Sequence, residues 1–94
     1  MIFRSPKLLK ACRLLPCQLC GREDGTVCAA HRNEGKGMRM KVSDALVASL
    51  CHVCHTELDN GKNFSREERR EYWNKAYIKT MQQMIERGIL KVAA

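Results

Sequence analysis

The fold of this chain is decided by two matched stretches, Cys17-Gln18-Leu19-Cys20 and Cys51-His52-Val53-Cys54, which are separated by 30 residues. Each is a C-x-x-C pair, whose two intervening residues let the backbone turn so that both sulfurs reach one metal ion at about 2.3 Å. Two such pairs supply four thiolates, which saturate the tetrahedral coordination shell of a structural zinc ion. The sequence therefore predicts a zinc site with the ligands Cys17, Cys20, Cys51 and Cys54.

Other interpretations of the cysteines remain open. A redox-active dithiol or chance spacing of buried cysteines is possible in principle, but neither explains two matched pairs. The remaining cysteines, Cys12 and Cys28, are expected to be small buried residues. Cys28-Ala29-Ala30-His31 is itself a C-x-x-H pair, so a second zinc site completed by His52 or His55 is an alternative.

The length and the net charge of the chain limit the kinds of protein that it can be. A chain of 94 residues with 5% aromatic residues forms one domain with a thin core. A structural metal ion adds on the order of 10 kcal/mol to the folding of such a domain. Seventeen Lys and Arg against ten Asp and Glu give a net charge of +7, and residues 1–22 hold five basic and no acidic residues. This excess favours a nucleic-acid partner, with ordinary solubility charge as the alternative.

The hydropathy of the sequence indicates where in the cell the protein is located. The N-terminal segment has no uninterrupted apolar core of the kind that a signal peptide needs. No stretch approaches the roughly 18 consecutive apolar residues of a membrane-spanning helix. We therefore expect a cytoplasmic protein without a membrane partner, in which clustered cysteines bind metal because disulfides do not persist there.

Turn signals and apolar runs predict short elements before residue 61. At most one helical turn is expected between Ser5 and the Leu15-Pro16 pair. The turn-rich segment 21–37 surrounds an apolar stretch, residues 26–30, which predicts a strand and a β-hairpin. The run 46–50 does not distinguish strand from helix. A short helix that carries the second cysteine pair should end at Asn60-Gly61.

The clearest element is an amphipathic C-terminal helix. Ser65 and Glu68 form a capping box, and Gly88 suits the position after the last turn. Its apolar face is expected to comprise Trp73, Ala76, Tyr77, Thr80, Met81, Met84 and Ile85. A protein-interaction module that exposes Trp73, Tyr77 and Met81 is an alternative, but core packing explains these residues more simply.

Three segments together resemble a known class of nuclease. Cys17-x-x-Cys20, Ala30-His31-Arg32-Asn33 and Leu50-Cys51-x-x-Cys54-His55 resemble, in order and spacing, the HNH nucleases that hold zinc with four cysteines. With the 42–46 segment and the Cys-x-x-Cys-His-x-Glu-x-Asp ending, they look like a small phage and prophage nuclease family typified by YbcO. The resemblance implies a small α+β domain over residues 1–94: a basic arm 1–15, a zinc-stapled treble-clef (ββα) HNH-like core 16–61, and the added amphipathic helix 65–88.

The resemblance also implies a function and its residues. It implies a metal-dependent endonuclease that hydrolyses DNA phosphodiester bonds in phage or prophage DNA processing, with His31 as the general base. Imidazole suits proton abstraction because its unperturbed pKa is near neutrality. A hydrogen-bonded structural histidine is the alternative for His31. His55 would ligate a catalytic divalent ion such as magnesium or manganese, with a hydrogen bond to a cysteine sulfur as the alternative. Asp44 lies nearest to the middle Asn of the HNH pattern, and either metal ligation or the capping of a turn after Ser43 is open.

Basic residues after His31 suggest the nucleic-acid contacts. Arg32, Lys36, Arg39 and Lys41 are predicted to touch DNA phosphates, and Arg69 and Arg70 extend that surface. A plain solvated loop is the alternative for the first four. Many HNH enzymes carry an Asp or His directly before the base, whereas this chain has Ala30. That departure favours the alternative function, a non-catalytic zinc-stabilised nucleic-acid-binding module.

Overall fold

The computed structural model describes residues 3–32 and 42–93, which form a small α+β unit. Within these ranges the elements are α1 (Pro6–Cys12), β1 (Cys28–His31), β2 (Val47–Leu50), α2 (His52–Asn60) and α3 (Arg66–Glu86). Three of the predicted DNA contacts, Lys36, Arg39 and Lys41, lie outside the described residues.

The two strands form an antiparallel sheet. Cys28 pairs with Leu50 and His31 pairs with Val47, so the apolar run 46–50 resolves as strand. The described part of this segment, residues 21–32, thus contributes one strand, and its partner comes from beyond residue 46. The predicted strand is confirmed, while its hairpin partner lies further along the chain than the turn signals indicated.

Strand alternation gives the sheet two buried faces, because successive side chains in a strand point to opposite sides. One face carries Cys28, Ala30, Ala48 and Leu50, and the other carries Ala29, His31, Val47 and Ser49. The first face packs in a core on the side of the two cysteine pairs, with Cys17, Val27, Leu58, Trp73 and Ala76. The second packs in the α1-side core with Cys12, Leu15 and Met84.

The basic arm predicted over residues 1–15 contains a two-turn helix rather than a single turn. Ser5 is the N-cap of α1 and its hydroxyl accepts from the amide of Leu8, while Pro6 occupies the first helical turn without losing a hydrogen bond. Cys12 is fully buried, and Leu8 and Leu9 pack on the α1-side core. The arm is therefore part of the folded core, since its apolar face covers the sheet.

The long helix α3 lies across both cores. The capping box of Ser65 and Glu68 is present, and Gly88 follows the last turn with φ of +73°, a left-handed conformation that favours glycine. Four of the expected apolar positions are buried, Trp73, Ala76, Thr80 and Met84. Ile85 is the exception at 60% exposed, because α3 turns that position away from the sheet. Burial of Trp73 removes the surface on which the interaction-module alternative depends.

A buried polar junction joins α1, β2 and α3. The amide of Ser49 donates to Thr80 Oγ1 at 3.0 Å, and the Ser49 hydroxyl donates to the Cys12 carbonyl at 2.8 Å. The Thr80 hydroxyl in turn donates to the Ala76 carbonyl at 2.7 Å. Each of these buried groups has a partner, so the junction fixes the position of the helices at little desolvation cost. No helix within the described ranges combines the length and the apolar character needed to cross a membrane.

Candidate metal centre and histidine site

The first cysteine pair lies in a tight turn between α1 and β1. The Gly21 amide donates to the Cys17 carbonyl at 2.9 Å, and the Cys17 amide donates to the Arg22 carbonyl at 3.0 Å. Gly21 has φ of +77°, so the chain reverses through a left-handed residue that glycine adopts without strain. Gln18 then donates its amide to the Ser49 carbonyl at 2.9 Å, which ties this turn to β2.

The second pair lies at the start of α2. Cys51 is the N-cap of the helix, and its sulfur accepts from the Cys54 amide at 3.5 Å. Cys54 is therefore one turn further along, which brings its sulfur back towards that of Cys51. A helix begun by a metal ligand explains the short α2 that the sequence predicts, and its end at Asn60 with Gly61 as C-cap matches the predicted stop.

The four sulfurs of these pairs come together. Those of Cys17, Cys20, Cys51 and Cys54 all lie within 4.8 Å of one another, and those of Cys20 and Cys51 are 3.6 Å apart. A tetrahedron with metal–sulfur bonds of about 2.3 Å has edges of about 3.8 Å, so the spacing suits zinc. The four cysteines thus fit a structural metal ion, and the predicted ligand set is brought into one cluster.

Electrostatics at the cluster also favour a cation. Burial opposes ionisation of the Cys17 thiol, but hydrogen bonds from the amides of Cys20 and Cys51 outweigh it and lower its pKa to about 7. Burial raises the pKa values of Cys51 and Cys54, and the neighbouring sulfurs raise that of Cys54 further. A bound divalent cation removes this penalty because it stabilises all four thiolates together.

The two remaining cysteines lie outside the cluster. Cys12 is buried in the α1-side core and burial raises the pKa of its thiol, as expected for a small apolar residue. Cys28 is half-buried on β1, and its sulfur lies 3.4 Å from Nδ1 of His55. A hydrogen bond from His55 to a cysteine sulfur was one of the alternatives for this histidine, and the sulfur is that of Cys28, 27 positions away.

The alternative second zinc site is not assembled. Cys28 and His31 are three positions apart on a strand, so their side chains point to opposite faces of the sheet. Among the residues that the structure describes, the four-cysteine cluster is the only set of three or more cysteine, histidine or acidic ligands placed to share a metal. His52, one of the two histidines offered for that site, is exposed at the start of α2.

His31 and Asp44 form a close pair on the α1 side of the sheet. Nε2 of His31 lies 2.9 Å from Oδ1 of Asp44. The Asp44 side chain is only 4% exposed, whereas that of His31 is 29% exposed and reaches solvent. The hydrogen bond with His31, followed by that with the Ser5 amide and the contact with Arg4, holds the pKa of the Asp44 carboxyl below its usual range.

The turn after Ser43 is not capped by the Asp44 side chain. It is closed by the Ser43 hydroxyl, which accepts from the Ala45 amide at 3.1 Å. The Asp44 carboxylate instead accepts from the Ser5 amide at 2.8 Å and from Arg4 at 3.1 Å, besides its contact with His31. The N-terminal segment therefore runs beside this carboxylate.

Residues 3–5 complete this site, although no motif pointed to them. The Asp44 amide donates to the Phe3 carbonyl at 3.0 Å, and Arg4 donates to the Val42 carbonyl at 2.9 Å. The segment 3–5 therefore lies against residues 42–44. Arg4 was visible in the sequence only as one of several basic residues in the arm, so the contact depends on how α1 packs.

The two predicted catalytic histidines contact different residues, on opposite faces of the sheet. His31 and its partner Asp44 belong to the face that α1 covers, while His55 at the start of α2 contacts Cys28 on the other face. Arg32 follows His31 directly, and its amide donates to the Leu46 carbonyl at 3.0 Å. The structure therefore brings together His31 and Asp44 but does not bring His55 to them.

Comparison of this chain with protein families, with curated proteins and with solved structures finds no significant match.

Proposed function

We propose that the protein is an endonuclease that hydrolyses DNA phosphodiester bonds, with His31 as the general base. The observation that carries the proposal is the hydrogen bond of 2.9 Å between a half-exposed imidazole and a buried carboxylate. A histidine oriented in this way by an acidic residue is the arrangement that general-base catalysis uses repeatedly. The resemblance of the Ala-His segment to HNH nucleases points to the same residue.

The pair fixes the tautomer that a base needs. Because the pKa of Asp44 is lowered, its carboxylate is ionised at neutral pH and can only accept, so Nε2 of His31 carries the proton. In neutral imidazole the lone pair is then on Nδ1, which makes no hydrogen bond with any described residue. Nδ1 would take the proton of a water whose oxygen bonds to the phosphorus, and Asp44 would stabilise the imidazolium that forms. The ester bond to the leaving oxygen of the DNA would break in the same displacement, and that oxygen would take its proton from the imidazolium or from water.

The scaffold around the pair supports the proposal as well. A C-x-x-C turn, two antiparallel strands and a helix that starts at the second C-x-x-C follow one another in the order of a treble clef. His31 ends the first strand, which is the position of the base in HNH nucleases. Zinc in the four-cysteine cluster would hold this scaffold and would leave the chemistry to other groups, because its four ligands close its coordination shell.

A catalytic magnesium or manganese ion with His55 as a ligand belongs to the proposal only through the resemblance. The described residues do not gather a ligand set around His31, and His55 contacts Cys28 instead. We therefore assign no step of the reaction to that ion. Its part in the reaction is tested by adding or omitting Mg²⁺ or Mn²⁺ in the cleavage assay.

The second candidate function is a zinc-stabilised module that binds nucleic acid without cutting it. Two observations favour it, the separation of His55 from His31 and the presence of Ala30 where many HNH enzymes have a metal ligand. In this case the pair of His31 and Asp44 fastens the N-terminal segment to residues 42–44. The two functions share DNA binding and differ only in hydrolysis.

The deciding experiment is cleavage of supercoiled and branched DNA by the zinc-loaded protein, with Mg²⁺, with Mn²⁺ and without either ion. We expect nicked and linear products from the native chain. A general base contributes roughly 100-fold to 10,000-fold, so His31→Ala should lower the rate by about that factor. Asp44→Asn should lower it less, because the imidazole remains while its tautomer is no longer fixed.

The matched control is His52→Ala, which removes an exposed histidine that has no place in the proposed site. It should cleave at the native rate. Zinc content and helical circular dichroism establish that each variant is folded. If native protein binds DNA but leaves every substrate intact in all three ion conditions, hydrolysis is excluded and the binding module is the better account.

A further inference from the structure

The exposed side of α1, continued by its C-cap Arg13, carries a row of basic residues. Lys7, Lys10 and Arg13 follow one another at intervals of three, and all three are exposed. At about 100° per residue they fall within roughly 120° of the helix circumference, and together they span about 9 Å along the axis. We call these three residues the α1 ridge.

Packing of α1 fixes the direction in which the ridge points. The opposite side of the helix carries Leu8, Ala11, Cys12 and Leu15, which pack in or against the α1-side core. Because those residues are held against the sheet, the ridge faces away from the protein. Its exposure is thus a consequence of the fold and does not depend on side-chain rotamers.

Within residues 3–32 and 42–93, no acidic side chain lies at ion-pair distance from the ridge. Residues 1–22 contain no Asp or Glu, and none of the three ridge residues forms an ion pair with a described residue. Solvated surface helices usually mix charges of both signs, which limits such single-sign fields. An unpaired row of cations on an ordered helix is suited to a partner with regularly spaced negative charge.

The ridge begins beside the proposed site. Arg4 lies three residues before Lys7 and so precedes the ridge at the same spacing. It donates to Asp44 at 3.1 Å, and Asp44 in turn contacts His31. The N-cap Ser5 also donates its amide to Asp44. The start of α1 is therefore joined directly to the pair of His31 and Asp44, and the ridge leads away from it.

We propose that the α1 ridge binds the phosphate backbone of DNA and guides it to His31. The inference rests on the proposed action on DNA and adds the surface that holds the substrate. Phosphates of one strand are about 3.4 Å apart along the axis of B-DNA, so a row of about 9 Å faces two to three of them. Such contacts position the nucleic acid without reading its sequence.

The test compares two triple variants that lose equal charge. Lys7→Gln with Lys10→Gln and Arg13→Gln removes the ridge, while Lys75→Gln with Lys79→Gln and Lys91→Gln removes three exposed cations from the C-terminal part of the chain. Binding of a fluorescent DNA duplex is measured by anisotropy over a series of NaCl concentrations, without Mg²⁺ or Mn²⁺. Arg4 is left intact in both because it holds Asp44.

We expect the ridge variant to lose affinity and salt dependence together. Each lost phosphate contact lowers the slope of log affinity against log salt by about 0.9, so the slope should fall by about 2 to 3. The control variant should keep the native slope. Equal loss of DNA affinity in both variants would show that only net charge matters and would overturn the proposal. A ridge variant that binds DNA with native affinity, or native protein that does not bind DNA, would overturn it as well.

Failure of the ridge and failure of hydrolysis are distinguishable. Native protein that binds through the ridge but does not cut DNA leaves the ridge standing and excludes the nuclease. A ridge variant that cuts DNA with native KM and native salt dependence excludes the ridge and leaves the nuclease standing. His31→Ala should bind DNA with the native slope, since it leaves all three ridge residues in place.

Discussion

Asp44 is a buried carboxylate whose hydrogen-bond partners come from two distant parts of the chain. Arg4 and Ser5 approach it from the N-terminal segment, and His31 approaches it from the end of β1. A buried charge is tolerated only when such partners replace the water that it has lost. The pair of His31 and Asp44 therefore depends on the docking of residues 3–5.

The lowered pKa of Asp44 predicts a pH-dependent contribution to stability. Its folded pKa is below the unfolded value of about 3.9, so the stabilisation is present above that value and is lost as the pH falls through the folded pKa. Asp44→Asn should destabilise the neutral protein by about 1–3 kcal/mol, because the amide cannot accept from all three donors. The difference from native should then shrink in acid.

Urea unfolding of both zinc-loaded proteins at neutral pH measures this difference. The comparison is kept to pH values at which both proteins hold zinc, because protonation of the zinc thiolates in acid releases the metal. Equal free energies of unfolding at neutral pH would contradict the assignment of an ionised, hydrogen-bonded Asp44.

At the scale of elements, the helices and the sheet are fastened by the junction at Ser49. This side chain is completely buried and links β2 to the end of α1, while its amide contacts Thr80 on α3. Such a residue carries no apolar surface of its own. Its hydroxyl gives the buried Cys12 carbonyl a short hydrogen bond of 2.8 Å, besides the longer one that this carbonyl accepts from the Leu15 amide at 3.4 Å.

Ser49→Ala should therefore destabilise the protein by about 0.5–1.5 kcal/mol, the net contribution of one buried hydrogen bond, because the Cys12 carbonyl keeps its bond from the Leu15 amide. Asn74→Ala on the exposed side of α3 is the matched control and should change the free energy of unfolding by less than about 0.5 kcal/mol. Urea denaturation monitored by circular dichroism gives both numbers. Equal stability of the two variants would show that water replaces the Ser49 hydroxyl at the junction.

Elements with local signals could be predicted from sequence, and elements that depend on distant contacts could not. The start of α3 was predictable because Ser65 and Glu68 cap it by themselves, and the start of α2 because Cys51 begins it. The length of α1 was not, since its stability comes from packing on the sheet. The partner of β1 was also beyond reach, because strand pairing joins residues far apart in the chain.

The same division holds for the candidate site. Spacing alone predicted the four clustered cysteines, because each C-x-x-C pair is a local turn. The C-x-x-H spacing of Cys28 and His31 misled for a physical reason: in a strand, residues three apart face opposite sides. The contacts of His31 with Asp44 and of Cys28 with His55 span 13 and 27 positions, so the sequence could offer these residues as candidates but could not pair them.

At the scale of the whole molecule, the four-cysteine cluster joins the parts that the small cores leave weakly connected. It links the turn that follows α1 to the start of α2, and both flank the sheet that carries His31. Binding of zinc by four thiolates contributes on the order of 10 kcal/mol to the folding of small domains. That is comparable to the whole stability of a typical domain, so metal and fold should be lost together.

The most direct test is to measure the metal content and the helical circular dichroism of the native chain before and after chelation. We predict one zinc ion per chain and cooperative unfolding when it is removed. Cys51→Ser should lose both metal and structure, whereas Cys28→Ala, a cysteine outside the cluster, should keep both. A chain that keeps its native circular dichroism and melting temperature after complete removal of zinc would contradict the account.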